Sequence, residues 1–178
     1  MLVYTCLLSG DEMLSDAFSL KQVMDSDGAP VEGLMYCESK NVQKGGEDVD
    51  IGCGGAFGGE DADGGADDNV ETVNNVVDRF NYTETQIGTA SDFKAWIKEY
   101  MNALRAKKRE SGMDKEKIKE FMGCAPKIAT YFLKRFADVQ FYLGASFCAD
   151  AMVFSIYEDG ETTPRFYYIM DGMLANKF

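Results

Sequence analysis

Residues 139–172 read VQFYLGASFCADAMVFSIYEDGETTPRFYYIMDG. Three short runs within this stretch, 139–143 (VQFYL), 151–157 (AMVFSIY) and 164–170 (PRFYYIM), are rich in β-branched and aromatic residues and are bounded by turn formers. That pattern is a strand signature. Glu158-Asp159-Gly160-Glu161 separates the last two runs. An Asp-Gly pair accepts the backbone angles of a tight reversal, so these two strands are expected to form a hairpin. Asp171-Gly172 marks a second turn.

Upstream, the hydrophobic period changes. Phe93, Ile97, Tyr100, Met101 and Leu104 recur at i, i+4, i+7, i+8 and i+11, which is one face of a helix. Ser91 or Asp92 is the expected cap and Gly112 the expected end. A second helix is expected from Asp114, carried by Ile118, Phe121, Met122, Ala125, Ala129, Phe132 and Phe136. Pro126 either kinks it or restarts it, because proline lacks the backbone donor. A short connection makes the pair an antiparallel helical hairpin over residues 91–136.

The first half reads as β again. Residues 2–8 (LVYTCLL), 31–37 (VEGLMYC) and 70–82 (VETVNNVVDRFNY) are strand candidates, with Gly33 marking a bulge or a close backbone approach. Between the last two, residues 45–69 hold nine glycines and eight acids. Such composition buries little, and this stretch is expected to be a mobile acidic loop. The fold class that follows is α+β in one 178-residue domain.

Charge is unevenly spread. The net charge is −12. Residues 1–90 hold four Lys and Arg against eighteen Asp and Glu, whereas residues 91–137 hold twelve against six. A basic element therefore sits on an acidic body. Phosphate would repel that body, so nucleic acid is not an expected partner. No apolar run approaches the roughly 18 residues of a membrane span, and no signal-peptide pattern is visible. A cytosolic protein is expected, with no membrane partner.

The chain has no histidine. Ser-His-Asp triads, Cys-His pairs and imidazole metal sites are thereby excluded. The cysteines (6, 37, 53, 124 and 148) are odd in number and form no C-x-x-C pair. This speaks against a disulfide framework and a zinc ribbon. Cys53, in the acidic loop, is the candidate reactive thiol, slowed by its anionic surroundings. Asp61 and Asp63 suggest an EF-hand, but Gly65 and Ala66 stand where a ligand and the turn glycine are needed. The glycine pairs of the loop lack the lysine of a phosphate cradle.

A colinear set of residues carries a resemblance across the whole chain. It comprises Tyr4, Asp11-Glu12-Met13, Ser15-Asp16, Val31-Glu32-Gly33, Val76-Val77-Asp78, Tyr100-Met101, Phe121-Met122-Gly123, Gln140 to Gly144, Tyr157 to Gly160 with Thr163-Pro164, and Phe166 to Gly172. In this order they resemble the translationally controlled tumour protein family. The resemblance implies a twisted, tent-like, mainly antiparallel sheet with a projecting helical hairpin. That fold is similar to a chaperone of nucleotide-free small GTPases and to methionine-R-sulfoxide reductases.

The resemblance also implies a non-enzymatic, multi-partner adaptor linked to cell growth. Glu12 is the implied contact with a Ras-like GTPase of the Rheb type; the ordinary alternative is a solvated turn charge. Lys94, Lys98, Arg105, Lys107, Lys108 and Arg109 are the implied microtubule contacts, through attraction to acidic tubulin; the alternative is a solvated helix face. Gln140 is the implied contact of a weak calcium site, although its loop partner is replaced by Gly54. Translation or apoptosis regulators are further implied partners, and no cofactor is required. Two other functions stay open: a thiol-dependent methionine sulfoxide reductase on the related fold, and an acidic chaperone or calcium buffer.

Overall fold

The computed structural model describes residues 1–44 and 71–178. The acidic loop, with Cys53, Gly54 and the Asp61/Asp63 pair, lies outside the described residues. Along the described chain run β1 (Leu2–Cys6), β2 (Glu12–Ser15), β3 (Lys21–Met24), β4 (Pro30–Glu38), β5 (Asn41–Gln43), β6 (Thr72–Asn74) and α1 (Asn75–Phe80). They are followed by β7 (Thr83–Thr85), α2 (Ala90–Glu110), α3 (Lys115–Lys134), β8 (Val139–Leu143), β9 (Met152–Ile156), β10 (Arg165–Ile169) and β11 (Met173–Lys177). The fold is α+β.

The six-stranded sheet has the order β3-β4-β10-β9-β8-β7, and every pairing in it is antiparallel. The expected β9–β10 hairpin is present, with Tyr167 opposite Phe154. Its turn closes by the Glu161 N–H donating to Glu158 O at 3.0 Å, and Gly160 takes φ +80°. A three-stranded sheet, β11-β1-β2, brings the two ends of the chain together. A two-stranded ladder, β5-β6, sets Lys44 beside Glu71 at 2.9 Å. The two flanks of the undescribed segment are therefore neighbours.

Residues opposite one another in antiparallel strands share a face. Phe141, Phe154 and Tyr167 lie on one face of the six-stranded sheet, and α2 and α3 pack there. Phe93 of α2 and Phe132 of α3 meet Phe154 at 5.9 and 4.5 Å between ring centres. Each is nearly fully buried, which contributes roughly 2–3 kcal/mol per ring. Gln140, Tyr142, Ser155 and Phe166 lie on the other face. There Tyr82 packs on Phe166 and donates its hydroxyl hydrogen to the Met13 carbonyl of β2.

The cap of α2 and the strand over 70–82 differ from expectation, and α3 does not restart at Pro126. α2 is capped by Thr89, whose Oγ1 accepts from the Asp92 N–H at 3.2 Å, not by Ser91 or Asp92. α3 starts after Asp114 as expected and continues through Pro126 without a break; Ile128 takes a core place on its inner face. In the expected strand over 70–82, the described residues form β6 and then the short helix α1, and β7 follows only at Thr83. Asn74 caps that helix by accepting from the N–H groups of Val76 and Val77, and Asn81 ends it at φ +53°. Two well-placed asparagines outweigh the strand preference of the valines.

Gly33 in β4 is a close approach, as its sequence position suggested. It takes φ +82°, and a Cβ there would stand 3.1 Å from Asp171 Oδ2 and 3.5 Å from Ile128 Cδ1.

Candidate functional site

Glu12 begins β2, the outer strand of the three-stranded sheet. Its side chain is exposed, while Met13, Leu14 and Ser15 behind it are buried. The carboxylate makes no hydrogen bond or ion pair with any described residue. Next to it, Asp11 is fixed to the β8–β9 connection. Asp11 Oδ2 accepts from the Ser146 hydroxyl at 2.6 Å and from the Ser146 N–H at 3.2 Å. Gly144 makes room for this contact, since a Cβ there would come within 2.8 Å of the same oxygen. One edge thus presents an uncommitted carboxylate beside a committed one.

The basic residues of the hairpin divide. Lys94, Lys98, Lys107 and Arg109 are exposed, as expected. Lys107 stands 3.9 Å from Glu110. Arg105 is half-buried and lines a groove of about 600 Å³ with Arg109, Lys115 and Lys119 around Met113, Ile118 and Met122. Its Nε is buried without a hydrogen-bond partner among the described residues. Lys108 does not belong to this surface. It is 6% exposed, its Nζ is 3.0 Å from Asp171 Oδ1, and it stands 4.9 Å from the centre of the Phe121 ring. It follows Leu104 by four residues and therefore lies on the inward stripe. Tyr100 is buried, and Trp96 stacks on it and donates Nε1–H to the Ala149 carbonyl at 2.8 Å. Tyr100 is thus withdrawn from the surface, while Trp96 is only partly covered.

Gln140 lies on the sheet face opposite the hairpin. Its Oε1 is 3.4 Å from the Tyr142 hydroxyl and 3.5 Å from the Ser155 hydroxyl. Calcium takes six to eight oxygens, several of them carboxylates. Among the described residues no group of three His, Cys, Asp or Glu side chains stands close enough to hold a metal. Among the described residues, the surroundings of Gln140 supply no such set of oxygens.

A polar cluster not foreseen in the sequence lines a cleft of about 370 Å³ between α3 and the β3–β4 and β9–β10 strands. Arg135 makes a two-pronged pair with Glu158 at 2.7 and 3.0 Å and donates to the Tyr131 hydroxyl at 2.9 Å. Tyr167 donates to Glu158 at 2.7 Å. The Arg135 hydrogen bond holds the Glu158 carboxyl below its ordinary value. Burial, and then the hydrogen bond to Glu158, push the Tyr167 hydroxyl up. Arg165 pairs with Glu161 and lies 4.6 Å over the Tyr36 ring. Every charge in this cluster has a partner, so it ties α3 to the sheet.

The four described cysteines are free. Burial pushes the Cys37 thiol up to about 12. Burial and then the Glu32 carboxylate raise that of Cys124. Both therefore hold little thiolate at neutral pH, and thiolate is the nucleophile. Among the described residues no helix is long and apolar enough to cross a membrane.

Fold and surfaces define a small α+β protein of antiparallel sheets carrying a helical pair. The chain belongs to the translationally controlled tumour protein family, whose pattern matches residues 1–174. It is 36% identical to the translationally controlled tumour protein homologue of Schizosaccharomyces pombe, with all of both chains covered. It is 35% identical to the homologue of Neurospora crassa over 99% of each. The structure of the S. pombe protein p23fyp superposes with a TM-score of 0.72 at 34% identity, covering both chains fully. The family structure from Caenorhabditis elegans gives 0.62 at 22% identity, covering 100% of this chain and 99% of that one, which speaks to the fold alone.

Proposed function

We propose that this protein is a cytosolic, multi-partner binding protein linked to cell growth, and that Glu12 meets a Ras-like GTPase of the Rheb type. The observation that carries this reading is the exposed Glu12 carboxylate, uncommitted to any described residue, on a sheet edge otherwise braced from behind. A small GTPase holds its nucleotide with a lysine and Mg²⁺. A carboxylate brought to that site competes for both charges. The test is the affinity of the purified protein for a nucleotide-free Rheb-type GTPase, wild type against Glu12→Val. Weakening of at least about tenfold is expected, the size of a lost interfacial charge contact; equal affinity overturns the assignment.

A second surface is supported by the cationic hairpin groove around Arg105, which suits an acidic partner such as tubulin. Lys108 is left out of that surface. Calcium enters only as weak attraction to the acidic body. A reductase reading draws no support from the raised Cys37 and Cys124 thiols, since such chemistry needs a thiolate. Turnover of methionine sulfoxide with dithiothreitol would revive it.

A further inference from the structure

The loop joining β8 to β9, residues 144–151, carries a conformation that its connecting role does not require. Phe147 takes φ +58°. Among the described residues only it and the helix-ending Asn81 are non-glycine residues with positive φ. Bulky side chains disfavour this region, and a loop free to choose places Gly or Asn there. Phe147 is also 64% exposed. A lone exposed apolar residue is ordinary. An exposed ring held in a disfavoured backbone state is less ordinary, because solvent does not reward it.

The loop is held from both ends. Ser146 is fixed to Asp11 by two hydrogen bonds. The Phe147 N–H donates to Gly144 O at 3.0 Å, and the Trp96 indole holds Ala149 O at 2.8 Å. The Asp11–Ser146 bond ties the segment that carries Glu12 to the loop that carries Phe147.

We propose that Phe147 is a preset aromatic anchor that seats in an apolar pocket of the partner GTPase beside its nucleotide site, while Glu12 meets the lysine of that site. This rests on the reading of the Glu12 edge as the partner surface. Charge complementarity favours this lysine, since the exposed Glu12 makes no ion pair among the described residues. A loop backbone set before docking also avoids part of the ordering cost that a flexible loop would incur. Aromatic anchors dominate contact energies when seated in dry pockets beside a charged rim.

The experiment measures binding of the full chain to nucleotide-free Rheb-type GTPase for wild type, Glu12→Val, Phe147→Gly, Phe147→Asn and Phe147→Trp. Gly and Asn accept the positive φ, so both variants should melt at or above the wild-type temperature. Both should lose about tenfold or more in affinity, as for a central anchor, while Phe147→Trp keeps most of it. Binding that depends on Glu12 but not on Phe147 overturns the anchor and leaves the GTPase reading standing. No binding by wild type overturns both. Sedimentation analysis runs alongside: a concentration-dependent dimer lost in Phe147→Gly assigns the anchor to a second copy of this chain and overturns the proposal as stated.

Discussion

Lys108 Nζ stands 3.0 Å from Asp171 Oδ1, and this one contact joins α2 to the turn after β10 beneath the Phe121 ring of α3. It turns a lysine of a basic segment into part of the fold. Lys108→Ala should lower stability by roughly 1–3 kcal/mol, because the Asp171 carboxylate loses its charged partner. Lys94→Ala and Lys98→Ala, at exposed positions, should stay within about 0.5 kcal/mol. Urea denaturation of the three variants checks this.

The Gly172 turn lies directly against α2, where an added methyl would overlap the Tyr100 hydroxyl. Gly172→Ala should cost roughly 1–3 kcal/mol through overpacking. Tyr100→Phe in the same chain should restore part of the loss, since the next nearest atoms stand at 3.3 and 3.5 Å. A double-mutant cycle reads the coupling; strict additivity would argue against this contact.

Glu158 links stability to pH. Its folded carboxyl lies below the ordinary value because Arg135 hydrogen-bonds the charged form. Its contribution is therefore full above the ordinary carboxylate range and fades as pH falls through the folded value. Glu158→Gln should cost roughly 1–3 kcal/mol at pH 7. The gap between wild type and variant should close in strong acid. A gap that persists unchanged at pH 2 would show that charge is not its source.

The exposed hairpin cations predict a salt-dependent contact. Reversing the groove-lining Arg109, Lys115 and Lys119 to glutamate should abolish co-sedimentation with microtubules at low salt. Wild-type binding should itself weaken as ionic strength rises past about 0.15 M, where the screening length falls near 8 Å. Lys108 is omitted from that set because its loss would unsettle the hairpin.

The sequence made the β9–β10 hairpin legible through Asp159-Gly160, and the two long helices through Phe93 to Leu104 and Ile118 to Phe132. Their periods are long enough to survive tertiary packing. The stretch 70–82 misled because six residues give no period, and the valines of a short capped helix resemble those of a strand. Lys108 was readable in principle, as it falls on the Phe93–Leu104 stripe, but its charge drew it to the outer face. The Arg135–Glu158–Tyr167 cluster was not readable. Its members are far apart in the chain, and only the packing of α3 on the sheet brings them together. Phe147 gave no signal either, because its backbone angle follows from braces supplied by Asp11 and Trp96.

The proposed partner lands where the Asp11–Ser146 bond joins the Glu12 segment to the Phe147 loop. The most direct measurement is amide NMR mapping of the labelled protein titrated with nucleotide-free Rheb-type GTPase. Signals of residues 11–13 and 144–150 should shift or broaden first, with α2 and α3 unaffected beyond Trp96. Changes confined to the hairpin groove around Arg105, or no changes at all, would contradict the account.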